Sequence, residues 1–331
     1  MINTEYDALL YLSFGGPEKS DDVLPFLRNV TRGKNIPDRI LTRVAMKYEL
    51  FGGKSPINEC NRNVIDALKK ELDIAGIKLP IYFGNRFWSP TIEDALLQMK
   101  ANGVKKALAF VTSPYASYYG CWQYVHEIQT SLNRIGGGIT IHKLKPFFND
   151  SLFIRALSEI LNSYLETASQ LSRRIIFTAH NIPQDMINSE RYVQELEESA
   201  KLVMEQISNK VPYTIAYQSK SRNTSNEWLS PELQDVIHES SISSFQEIII
   251  MPFGFLSDHM EVIYDLDIEA AELAKSEGLK FSRLKTVGNS STFISMIKRQ
   301  IEEQMSTDLP SPPLNEEKVS CPNCQTPCDT L

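Results

Sequence analysis

Six short runs that are apolar at almost every position recur along the chain, and longer amphipathic stretches separate them. The runs are ALLYLSF (8–14), IYFGN (81–85), ALAFVTS (107–113), RIIFTAH (174–180), YTIAYQS (213–219) and EIIIMPF (247–253). A strand with almost no polar alternation must be covered on both faces, which is the condition of a parallel sheet between helices. Helical periodicity fills the intervals, as in NRNVIDALKKELDIAG (61–76), TIEDALLQMKANG (91–103), DSLFIRALSEILNSYLETA (150–168) and SERYVQELEESAKLVMEQI (189–207). Strand followed by helix, repeated, predicts an α/β architecture whose ligand site lies at the carboxyl ends of the strands. The pattern falls into halves near residue 145, so two Rossmann-like domains are expected, 1–145 and 146–288, with a cleft between them. A further helix over 289–305 is expected to pack back on the first domain, and 306–331 reads as a Pro-rich linker and a cysteine-rich tail.

Composition narrows the function. A formal net charge of -7 with 23% charged residues argues against a nucleic-acid partner, which calls for a basic stripe. No apolar stretch approaches the roughly 20 residues that span a bilayer, and the N-terminus shows no basic leader, so a cytoplasmic protein is expected.

The strand ends carry the chemistry. SFGGPE (13–18) is a glycine turn without the third glycine of a dinucleotide fingerprint. The loops NVTRGKNIP (29–37) and FGGKSPIN (51–58) offer Arg32, Lys34, Ser55 and Asn58, donors suited to a carboxylate or phosphate or simply to water. GNRFW (84–88) and TSPYASYYGCWQY (112–124) concentrate aromatic rings that suit a planar ligand, or ordinary core packing. FTAHNIP (177–183) ends a strand on His180, a base or metal ligand near neutral pH. SDHMEVIYDLDIE (257–269) places His259 beside Glu261, with Asp265 and Glu269 following at four-residue steps on one face of an expected α-helix. Like charges at that spacing weaken a helix by a few tenths of a kcal/mol per pair, so the ladder is either a solvated acidic face or a path for a cation. Of the five cysteines, Cys321, Cys324 and Cys328 crowd into CPNCQTPC, which in a reducing compartment points to metal thiolates. A fourth ligand would come from Cys121 or Cys60.

Taken together, LSFGGPE, NVTRGKNIP, FGGKSPIN, FTAHNIP, AYQSKSRNTSNEWLSP and FGFLSDHMEVIYDLD resemble the ferrochelatases, which insert ferrous iron into a porphyrin in haem synthesis. The resemblance spans nearly the whole chain. It implies the chelatase fold, two Rossmann-like domains with parallel four-stranded sheets flanked by helices. By position it implies that His180 is the active-site histidine and Glu261 the glutamate facing it across the porphyrin, the two groups that handle metal and protons. His259, Asp265 and Glu269 would continue as a metal path. The N-terminal half is most similar to the coproporphyrin III ferrochelatases of actinobacterial type, soluble or peripheral proteins here expected to be monomeric, with protoporphyrin IX as the alternative substrate. That resemblance implies porphyrin contacts from Phe14, Thr31, Arg32, Ser55, Tyr118 and Tyr119. It also implies a 2Fe-2S cluster on Cys321, Cys324 and Cys328, with Cys121 as the internal ligand in preference to Cys60. Phe14 replaces a tyrosine that ligates inserted iron in Bacillus-type enzymes, leaving Tyr118 or Tyr119 for that role. A chelatase for another metal or tetrapyrrole, and a non-catalytic haem or iron-sulfur sensor on the same fold, are the rival classes.

Overall fold

The computed structural model describes residues 6–167, 171–221 and 226–306. Two compact units emerge. The first comprises the chain up to Pro114, Tyr118–Pro146 and the last helix from Ile294; the second comprises Tyr115–Ser117 and Phe147–Phe293. Among the described residues no helix is long and apolar enough to cross a membrane.

In the first unit the elements run β1 (Ala8–Ser13), α1 (Ser20–Val30), α2 (Asp38–Glu49), α3 (Ile57–Ile74), β2 (Ile81–Asn85), α4 (Ile92–Ala101), β3 (Lys106–Val111), α5 (Gln123–Arg134) and β4 (Thr140–Lys143). The strands form one parallel sheet in the order β2-β1-β3-β4. Leu10, Leu12, Ala107 and Ala109 cover one face against Leu96 and Met99 of α4 and Val125 and Ile128 of α5. Thr91 starts α4 with a reciprocal cap: its hydroxyl accepts the Asp94 N–H, and the Asp94 carboxylate accepts the Thr91 N–H.

The second unit repeats this plan with α6 (Ser151–Thr167), β5 (Arg173–His180), α7 (Ser189–Glu205), β6 (Tyr213–Gln218), α8 (Leu233–Ile242), β7 (Glu247–Met251), α9 (Met260–Ile263), α10 (Ala271–Ser276) and β8 (Lys280–Arg283). Its parallel sheet has the equivalent order, β6-β5-β7-β8. The final helix, α11, spans Ser291–Ser306.

The fold is thus the expected one, two parallel four-stranded sheets with helices packed on them. Two strands, β4 (TIHK) and β8 (KFSR), lack an apolar signature. Both are edge strands of only four residues, too short to show the apolar run that the longer edge strands β2 and β6 still carry.

In each sheet the strand order reverses at the first strand, with β2 and β3 on either side of β1 and β6 and β7 on either side of β5. Connections leave such a point in opposite directions and open a crevice at the carboxyl ends of the strands. In the second unit those ends are His180 of β5 and Met251 of β7, the latter followed by PFGFLSDHME.

Candidate active site

His180 is the last residue of β5, paired in register with Gln218, the last residue of β6. Its Nδ1 donates to the Asn181 carbonyl oxygen, which turns Nε2 outward. Tyr192 of α7 donates to the His180 carbonyl oxygen at 3.1 Å and so holds the backbone from behind. Nε2 lies 3.4 Å from Oε2 of Glu261, and the two side chains are 37% and 48% exposed, within reach of a ligand.

Glu261 reaches this place because the chain after β7 folds back tightly. Gly254 donates its N–H to the Thr178 carbonyl oxygen, and a Cβ on it would stand 2.7 Å from the Ala179 Cα, so only glycine allows that approach. His259 then caps α9, its Nδ1 accepting the Glu261 N–H at 3.2 Å while its ring packs on Phe255. The Gln218 amide donates to the Glu261 carbonyl oxygen.

The helix carrying the acids differs from expectation. It is not one α-helix: between α9 and α10 it widens into a π turn over Asp265–Ala270, with the Glu269 N–H reaching the Tyr264 carbonyl oxygen five residues back. Packing supplies the reason. Val262, Leu266, Ala270 and Ala274 all enter the core beneath β5 and β7, a stripe of four-residue steps. An α-helix drifts by about 40° with each such step, and the wider turn takes up the drift, keeping the stripe on the sheet. Glu261, Asp265 and Glu269 each precede a buried member of that stripe by one residue, so they follow it along the adjoining, more accessible side. Asp265 accepts the Ser219 hydroxyl at 2.5 Å. Asp267 is tied away from this row by Arg283, at 2.6 Å.

Electrostatics couple the pair. Burial pulls the His180 imidazole down, but the adjoining Glu261 carboxylate and the Asn181 carbonyl outweigh it and raise His180 to about 9. Burial pushes Glu261 up, and the His180 charge and hydrogen bond override it, bringing the carboxyl down to about 2. At neutral pH the pair is an imidazolium facing a carboxylate. His259 is lowered by its own burial and further by the His180 charge, against the pull of Glu261. Among the described residues no group of three or more His, Cys, Asp and Glu side chains is arranged to hold a metal ion.

The other candidate residues lie in the first unit. Phe14 is exposed at the end of β1, its ring 4.6 Å from that of Phe87. The Thr31 hydroxyl donates to the Leu27 carbonyl oxygen, and Arg32 is exposed beside the Asn29 side chain. Ser55 is buried, its hydroxyl oxygen accepting the Ile57 N–H at 3.5 Å and its Cβ packed under Gly16. Tyr118 and Tyr119 stand in a π turn, Tyr118–Trp122, that leads into α5. The Tyr118 and Trp122 rings stack at 5.1 Å and 15°, and the stack continues to His126 at 5.0 Å and 6°. Cys121, in the same turn, is buried and Cys60 is partly buried; Cys321, Cys324 and Cys328 lie outside the described residues. Of the four thiols expected to hold a 2Fe-2S cluster, Cys121 is the one among the described residues.

Sequence reading passed over Tyr192, Gln218 and Ser219. The polar run QSKS directly after the apolar YTIAY marks a strand's carboxyl end and was the available signal for two of them.

The ferrochelatase family profile matches residues 6–305. A ferrochelatase of Rhodopirellula baltica is 42% identical over 315 residues, covering 94% of this chain and 90% of its own. A coproporphyrin III ferrochelatase of Corynebacterium glutamicum is 38% identical over 311 residues, covering 90% of this chain and 84% of its own. Among solved structures, SirB from Bacillus subtilis with Fe3+ shares the fold with a TM-score of 0.56 at 13% identity, covering 91% of this chain and 96% of that one. With a profile match over almost all of the described chain and relatives this similar along most of their length, the chain belongs to the ferrochelatase family.

Proposed function

We propose that the protein inserts ferrous iron into coproporphyrin III, with His180 and Glu261 as the chemical centre. The observation that carries this reading is the 3.4 Å approach of His180 Nε2 to Glu261 Oε2 at the carboxyl ends of β5 and β7. Metal insertion exchanges one divalent cation for two pyrrole N–H protons, so the site must attract a cation and remove protons. The pair starts with one proton, on His180. An arriving dication favours loss of that proton to water, and the freed Nε2 lone pair then takes the two pyrrole protons in turn, releasing the first to water before accepting the second. The Asn181 carbonyl keeps the proton of Nδ1 in place throughout, so the base is always the same nitrogen. Asp265 and Glu269 extend negative charge along the helix behind Glu261 and draw the cation toward it. His259, neutral and committed to capping α9, positions Glu261 rather than carrying iron.

Coproporphyrin III is favoured over protoporphyrin IX by the N-terminal resemblance and by the stated substrate of the relatives at 36–38% identity. Thr31, Arg32 and Ser55 are the proposed propionate contacts, Phe14, Tyr118 and Tyr119 the proposed ring contacts, and Tyr118 or Tyr119 the proposed axial ligand of the product. Cys121, Cys321, Cys324 and Cys328 are the proposed holders of a 2Fe-2S cluster, and Cys121→Ser should remove its visible absorption. Anaerobic assay of both rings with ferrous iron tests the substrate directly. Turnover of coproporphyrin III at least tenfold above that of protoporphyrin IX supports the reading, and equal or greater turnover of protoporphyrin IX overturns it.

A further inference from the structure

At the end of β2, Asn85 and the residue after it, Arg86, have hydrogen-bonding capacity that the described residues do not meet. Asn85 is wholly buried with neither amide atom partnered, and the Arg86 Nε is buried without an acceptor. The rest of the Arg86 guanidinium meets only neutral groups: Nη1 donates to the Tyr119 carbonyl oxygen at 3.5 Å, Nη2 to the Gln123 side-chain oxygen. Its central carbon lies over the Phe87 ring, 4.6 Å from the centroid, and over the Tyr124 ring, 5.0 Å away.

This is unusual within the same molecule. The other partly buried arginines of the described chain each face a carboxylate: Arg173 with Glu247, Arg174 with Glu239, Arg191 with Glu195, Arg283 with Asp258 and Asp267, and Arg299 with Glu303. Among the described residues Arg86 has no ion pair, and Glu127 acts on it only through space. A half-buried cation without a counter-charge costs folding free energy, and a guanidinium with free N–H groups is shaped to take a carboxylate in two parallel bonds. The aromatic faces beneath it and exposed Phe14 against Phe87 suit a flat apolar body with acids at its rim.

We propose that Arg86 is a carboxylate-binding residue that takes a propionate of the porphyrin substrate, an inference that rests on the porphyrin reading above. It supplies the charge that this part of the first unit lacks a partner for, and it makes acid groups on the ring a condition of tight binding.

Fluorescence titrations of coproporphyrin III and of its tetramethyl ester, in the same detergent, test this with wild-type protein, Arg86→Gln and Arg86→Lys. Loss of one charge-assisted contact predicts that Arg86→Gln weakens binding of the acid roughly ten- to a hundredfold. Binding of the ester should stay within about twofold, since the ester offers no anion for the fork. An unchanged affinity for the acid, or an equal loss for both ligands, overturns the proposal, the second result marking a packing role. Should thermal melting show that Arg86→Gln does not fold, Arg86→Lys decides: charge without the planar fork should weaken the acid severalfold and spare the ester. Equal binding of both ligands by Arg86→Lys and wild type would contradict it. Wild-type protein that binds neither ring overturns the porphyrin reading itself, a result separate from any difference between variants.

Discussion

Nε2 of His180 and the carboxylate of Glu261 meet at 3.4 Å although 81 positions separate them in the numbering, because β5 and β7 are neighbours and Gly254 lets the chain turn back across the end of β5. The two residues shift each other's protonation in opposite directions. That coupling makes the pair measurable in the protein without substrate.

His180 is raised from 6.5 to about 9, so its contribution to stability is complete below about pH 6.5 and is lost as pH rises through 9. Glu261 is lowered from 4.5 to about 2, so its contribution is complete above about pH 4.5 and is lost as pH falls toward 2. The thermal midpoint of wild type should therefore exceed that of Glu261→Gln most between these bounds, with the difference shrinking above pH 9. A difference that stays constant from acid to alkaline pH contradicts the pairing.

Gly254→Ala should disturb both halves of the site at once. The added methyl would meet backbone, 2.7 Å from the Ala179 Cα and 3.1 Å from the Thr178 carbonyl oxygen, so the strand ends must part. A loss of about 1–3 kcal/mol is expected, read as a lower urea midpoint with an unchanged slope. An unchanged midpoint would show that the turn is looser than described.

Much of this is legible in the sequence. The central strands, buried on both faces, announce themselves by continuous apolarity; His180 closes one of them, β5, and Glu261 lies on the short helix that follows another, β7. The edge strands β4 and β8 did not, because at four residues each they are too short to show a run. The four-residue rhythm of Glu261, Asp265 and Glu269 was visible as well, but its π geometry was not. Whether a helix widens depends on what its buried stripe must reach, here Val262, Leu266 and Ala270 against β5 and β7. Tyr192 was hidden for a similar reason, since its hydroxyl serves a backbone carbonyl that only the folded chain brings near.

Tyr192→Phe isolates that backbone support. Removing the hydroxyl deletes the bond to the His180 carbonyl oxygen and should cost about 0.5–1.5 kcal/mol of stability. Because the ring remains packed on Tyr115, iron insertion should slow a few-fold through kcat with KM held. A change confined to KM would place Tyr192 on the substrate instead of behind the histidine.

The most direct measurement is iron insertion by His180→Ala, assayed beside its affinity for coproporphyrin III by fluorescence quenching. Removal of a positioned general base predicts a loss of about 100-fold or more in turnover, with porphyrin affinity within a few-fold of wild type. Turnover close to wild type with the ring still bound would contradict the assignment of the His180–Glu261 pair as the site of metal insertion.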